Sequence, residues 1–113
     1  MKITTDPLTA DSALLHLEGR FDAETAGSFK QVVKDLAAGG VKYLAVDLSR
    51  VSFVDSSGLS ALVAGMKTLQ PSAGRLHLAA VGPQARTALR LTLLDRVLPT
   101  FETIAEAVAH LTS

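Results

Sequence analysis

Cysteine and tryptophan are both absent from the 113-residue chain, and only 4% of its residues are aromatic. Without cysteine there can be no disulfide scaffold, no zinc–thiolate site and no cysteine nucleophile. Scarce aromatic rings leave no stacking platform for single-stranded nucleic acid. An excess of either charge is missing too, since eleven Lys and Arg balance eleven Asp and Glu. Nothing therefore draws the chain electrostatically to nucleic acid or to lipid headgroups. No apolar run reaches the ~18 residues of a membrane-spanning helix. The opening Met1–Pro7 lacks the apolar segment of a secretory leader. Charged residues make up 19% against 48% hydrophobic, which excludes disorder. The length fits one domain, with roughly 5,900 Å² of folded surface against roughly 17,000 Å² for the open chain. That burial supplies a core without metal or disulfide staples. A small, soluble, cytoplasmic domain with no cofactor is the expectation.

Hydrophobic periodicity orders the elements. Lys2-Ile3-Thr4 is a short extended start, expected to stop at Asp6-Pro7 because proline biases its predecessor away from the helix. Ser12–Glu18 reads as a strand, with Gly19 near its end. From Ala23 to Ala38, Ala26, Phe29, Val33 and Leu36 form one helical stripe, with Lys30, Lys34 and Asp35 on the solvent face. Gly39-Gly40 closes that helix. Tyr43–Leu48 is nearly continuous apolar sequence, as in a strand buried on both faces, with Asp47 the exception. Val51–Val54 continues it and leads into Asp55-Ser56-Ser57-Gly58. Leu59, Leu62, Val63, Met66 and Leu69 mark a second helix, Arg75–Val81 a strand, and Gln84–Leu93 a third helix. Val97–Phe101 reads as an edge strand because of Pro99, and Thr103 with Glu106 caps a last helix. The order β-β-α-β-α-β-α-β-α predicts an α/β fold with a mixed, mostly parallel sheet and helices packed against it.

Few residues carry chemistry. Gly-rich phosphate loops and the dinucleotide fingerprint are missing, and Val54–Gly58 lacks the first glycine of a nucleophile elbow. His16, His77 and His110 show no ligand spacing, and His16 and His77 fall in strand patterns where a packed or rim histidine suffices. Asp22, Asp47 and Asp55 stand where they could share one pole of the sheet, or simply cap helices and turns. The segment Phe53–Leu59 joins a buried strand to a helix, at the strand end where open α/β sheets place their sites. It has a structural reading: Asp55 or Ser56 caps the helix and Gly58 permits a tight turn. It also has a functional one. A serine hydroxyl at a helix N-terminus is expected to be exposed, and a phosphate is tolerated there by the dipole and free N–H groups. Such a phosphate adds up to two negative charges beside Asp55, so the surface changes while the fold survives.

Four stretches, in register across nearly the whole chain, resemble the STAS-domain anti-sigma factor antagonists. They are Leu17–Asp22 with Thr25-Ala26, Val46–Leu59, Gly74–Leu78, and Leu91–Val97 with Ala105–Val108; the Asp55-Ser56-Ser57-Gly58-Leu59 core is the specific one. The resemblance implies one STAS domain over residues 1–113, a regulatory protein rather than an enzyme. It implies phosphorylation at Ser57 and a partner-binding surface of Asp22, Ala23, Glu24, Thr25, Asp55, Ser56, Ser57 and Gly58. It implies as partners an anti-sigma factor that is itself a serine kinase, bound by the unphosphorylated form so that a sigma factor is freed, and a serine phosphatase that resets the switch. Two other readings stand beside it: a STAS subunit of a stress-signalling complex or of a lipid transporter, and a small hydrolase using Ser57, for which no general base is evident. Two positions vary from the pattern. Leu93 stands where the family commonly has glycine, so the turn after the third helix is expected to be tighter or differently shaped. Ser60 adds a third hydroxyl near the motif. Arg86, Arg90 and Arg96 read as solvated charges.

Overall fold

The computed structural model describes residues 1–112, and its strands build one five-stranded sheet in the order β1-β2-β3-β4-β5. The strands are β1 (Lys2–Thr9), β2 (Ser12–Phe21), β3 (Tyr43–Val54), β4 (Arg75–Ala79) and β5 (Thr100–Phe101). The helices are α1 (Ala26–Ala38), α2 (Ser56–Leu69), α3 (Pro83–Leu91) and α4 (Ile104–Ala109). β1 runs antiparallel to β2, and every other pairing is parallel. The accessible surface, 5848 Å², is what the mass requires of a fully packed domain.

Strand alternation sorts the core into two layers. Leu15 and Leu17 of β2, Leu44, Val46 and Leu48 of β3, and Leu76 and Leu78 of β4 face α1, α2 and α3. The helices answer with Ala26, Phe29 and Val33, with Leu59, Ala61 and Leu62, and with Ala85 and Leu89. On the opposite face α4 and the residues just after it cover the sheet, Ala107 and Leu111 packing on Leu14, Ala45 and Ala79. The small side chains beneath it let this short helix lie close.

Several elements differ from the sequence expectation. β1 does not stop at Asp6-Pro7 but continues to Thr9. Proline fits there because β1 is an edge strand, which needs ladder donors on one side only. α1 begins at Ala26 rather than Ala23, because residues 22–25 form a turn of their own. The two-residue β5 is the other edge, shorter than Val97–Phe101.

The β2–β3 pairing carries two irregularities that position the site. Between the pairs His16↔Asp47 and Glu18↔Arg50, and again between Gly19↔Val51 and Arg20↔Phe53, β3 advances one residue more than β2. Gly19 sits at the second with φ +109°, a conformation strained for any side chain. Bulges of this kind bend a strand and re-aim its end. Here they deliver the end of β3 beside the end of β2, Val54 pairing with Phe21.

Candidate functional site

At the carboxyl ends of β2 and β3 the chain makes two tight connections, joined by the backbone of Phe21. The N–H of Asp55 donates to the Phe21 carbonyl at 3.2 Å. The same carbonyl explains Gly58: a Cβ there would lie 2.4 Å from it. Gly58 is therefore required for close approach of α2 to the end of β2, not for the tight turn its place in the sequence suggested. Asp55 caps α2, its Oδ1 accepting from the Gly58 N–H at 3.0 Å.

The first connection is organised by Thr25. Its hydroxyl donates to the Arg20 carbonyl and accepts from the Asp22 N–H, both at 2.9 Å. The Asp22 carbonyl accepts from the N–H groups of Thr25 and Ala26, and its Oδ1 accepts from the Glu24 N–H at 3.1 Å. Arg20 lies 3.5 Å from the Asp22 carboxylate, with its guanidinium 4.6 Å from the centre of the Phe53 ring. Thr25 is thus turned into the structure, whereas Ala23 and Glu24 are exposed and Asp22 is half-buried.

Between the two connections lies a cleft of about 420 Å³, lined by Ala23, Ala26, Gly27 and Lys30 on one side and Ser56, Ser57 and Ser60 on the other. Ser56 and Ser60 are exposed, but Ser57 is half-buried. This corrects the expectation of a fully exposed hydroxyl. Ser57 makes no side-chain hydrogen bond among the described residues, while its neighbour Asp55 is engaged as a cap.

Asp22 and Asp55 share this pole, and Asp47 does not. Asp47 is buried mid-strand on the α4 face, where Oδ2 takes the Nδ1 proton of His16 at 2.7 Å and Oδ1 accepts from the Ser49 N–H at the first bulge. Burial pushes its carboxyl up, but the Ser49 N–H and His16 outweigh that and hold it below the usual carboxylate range. His77 is buried under α4 and donates Nδ1–H to the Ala107 carbonyl at 3.1 Å. Desolvation pushes its pKa down, assisted by the Arg75 and His110 charges and opposed by the Ala107 bond. No histidine lines the serine cleft. Among the described residues no cluster of His, Asp and Glu could hold a metal ion, and no helix is long and apolar enough to cross a membrane.

Two residues of this pole escaped the sequence reading. Gln84, in the first turn of α3, clamps Val54: its Oε1 accepts from the Val54 N–H at 2.9 Å and its Nε2 donates to the Val54 carbonyl at 2.8 Å. Its only sequence signal was its place at the start of a helix that follows a strand. Lys30 is exposed, as its place on the solvent face of α1 predicted, but it also lines the serine cleft, for which its spacing of four and seven from Ala26 and Ala23 was the available sign. Of the three arginines, Arg86 has an ion-pair partner in Glu102, 3.4 Å away. Leu93 takes a left-handed conformation, φ 60° and ψ 15°, that glycine reaches freely. Its departure from the family pattern is accommodated as local strain.

An Asp-Ser-Ser-Gly turn at the carboxyl ends of a mixed sheet, with three helices on one face and one on the other, marks a class. The model of the STAS domain matches residues 3–107, and the chain belongs to that family. It is 29% identical over 96 residues to the anti-sigma-F factor antagonist RsfB of Mycobacterium tuberculosis, spanning 85% of this chain and 78% of that protein. The crystal structure of a candidate anti-sigma factor antagonist from Thermotoga maritima superimposes with a TM-score of 0.89 at 27% identity, over 98% of this chain and 95% of the other. The structure of an anti-sigma factor antagonist from Mycobacterium paratuberculosis does so with a TM-score of 0.88 at 27% identity, over 99% and 94%.

Proposed function

We propose that the protein is an anti-sigma factor antagonist switched by phosphorylation of Ser57. The observation that carries this reading is the setting of Ser57: a hydroxyl without a hydrogen bond among the described residues, half-buried at the first turn of α2, on a pole that also carries the carboxylates of Asp22 and Asp55. Unphosphorylated, this pole docks an anti-sigma factor through Asp22, Ala23, Glu24, Asp55, Ser56 and Ser57, with Thr25 and Gly58 shaping the surface from within. The docked partner, itself a serine kinase, moves the γ-phosphoryl group of ATP to Ser57 Oγ; ADP leaves, and the hydroxyl proton passes to a base on the kinase. The new dianion stands beside two existing carboxylates and ejects the partner by like-charge repulsion. A serine phosphatase hydrolyses the ester and restores the docking surface. The regulatory reading is favoured over hydrolysis because no imidazole lies in the cleft to activate Ser57.

The test begins with the partner, captured from native lysate and identified by mass spectrometry. Incubation with that kinase and ATP should add one phosphate, on Ser57. Ser57→Ala should abolish it with the circular-dichroism spectrum unchanged. Asp55→Asn, which still caps α2, should slow it at least about fivefold without lowering the melting temperature. Phosphate mapped to Ser56 or Ser60, or captured partners without an anti-sigma kinase among them, would contradict the proposal.

A further inference from the structure

We infer that Lys30 is the built-in counter-ion of the phosphorylated switch, holding the Ser57 phosphate in the cleft between α1 and α2. The inference deepens the proposed function and rests on it for its biological meaning. Among the described residues, Lys30 is the one charged residue lining the serine cleft. It has no ion-pair partner among the described residues, so its ammonium is available to a new anion. The cleft wall on its side is built from Ala23, Ala26 and Gly27, small residues that leave about 420 Å³ open in front of Ser57. The other charges at this pole are the carboxylates of Asp22 and Glu24 in the connection before α1 and of Asp55 at the cap of α2, with Arg20, whose guanidinium is already 3.5 Å from the Asp22 carboxylate. A phosphate on Ser57 therefore joins an acidic pole whose other cation, Arg20, already has a carboxylate partner, and Lys30 is the cation that shares its cleft.

Two consequences follow from that arrangement. The carboxylates push the second ionisation of the phosphate up, and Lys30 pulls it down, so that the phosphate is dianionic at neutral pH despite its acidic surroundings. The ammonium also draws the phosphate into the cleft, toward α1, which sets the position from which it repels a partner. Lys30 thus acts on the switch through the phosphate and is a positioning residue.

The experiment reads the phosphate directly and needs no kinase. Protein carrying phosphoserine at position 57, incorporated during translation, is titrated by phosphorus NMR as wild type and as Lys30→Gln, Lys30→Arg and Lys34→Gln. Lys34 is exposed one turn further along α1 and does not line the cleft, so it reports the effect of losing any lysine from this helix. Lys30→Gln should raise the phosphate midpoint by roughly half a pH unit, Lys30→Arg should restore it, and Lys34→Gln should leave it within about 0.1 unit. Equal midpoints for wild type and Lys30→Gln, or equal shifts in Lys30→Gln and Lys34→Gln, would overturn the inference. A kinase that fails to place phosphate on Ser57 bears on the proposed function alone, because the titration does not depend on how the phosphate arrived.

Discussion

Leu93 shows what a single side chain costs when the backbone asks for glycine. At φ 60° its Cβ crowds the following carbonyl, at a cost of about 1–2 kcal/mol, while its side chain is 54% exposed and recovers little by burial. Leu93→Gly should raise unfolding stability by about 0.5–1 kcal/mol in urea denaturation, the relief of strain exceeding the added freedom of the unfolded chain. Leu93→Ala should bring no gain, since alanine keeps the Cβ; equal stabilisation by both would place the effect in the exposed leucine side chain instead. At this scale the acidic and serine positions were legible in the sequence, but the local structural work of two neighbouring residues was not. Thr25 and Gly58 stand in the motif as surface candidates, yet one is turned inward to hold the Asp22 turn and the other admits the Phe21 carbonyl. A string of letters carries the residue type and its spacing. It does not carry the carbonyl from another strand that decides why the type is needed.

At the scale of elements, the helical stripes and the double-sided burial of β3 were legible because periodicity and burial are the same fact seen twice. The bulges were not legible, because an extra residue in one strand shows only against the register of its neighbour. The link between α3 and the motif was hidden for a similar reason: thirty residues separate Gln84 from Val54. That link makes the switch loop depend on a helix that contributes nothing to its surface. Gln84→Leu removes both bonds and leaves the buried Val54 backbone without these partners, so it should destabilise the domain by about 2 kcal/mol. Amide exchange should accelerate at Val54 and Asp55 ahead of the core of β3. Uniform acceleration across the whole sheet would mean that Gln84 supports the fold globally and not the loop in particular.

For the whole molecule, the two faces of the sheet divide the work. The face under α1, α2 and α3 holds most of the apolar core and presents the switch at its rim, while the α4 face holds the buried ionisable groups Asp47 and His77. These set an acid limit to stability. His77 has its folded pKa lowered, so below about pH 6.5 the unfolded chain takes up a proton that the fold refuses, and stability falls as pH falls. Asp47, also lowered, contributes stability above its unfolded pKa that is lost on further acidification through its folded pKa. Melting temperature should therefore decline from pH 7.5 to 5.5, with a shallower decline in His77→Gln, whose amide can still donate to Ala107; identical slopes would remove His77 as the cause. Because these groups lie across the sheet from Ser57, the switch and the acid response should be separable.

The central claim is that one phosphate on Ser57 turns docking off by charge while the fold stays intact. Isothermal titration calorimetry of the captured anti-sigma factor, against the unphosphorylated protein and against protein carrying phosphoserine at 57, tests it most directly. The account predicts tight binding of the first and a loss on the order of 2–5 kcal/mol for the second, with matching circular-dichroism spectra and melts. Equal affinity for the two forms, or a loss accompanied by unfolding, would contradict it.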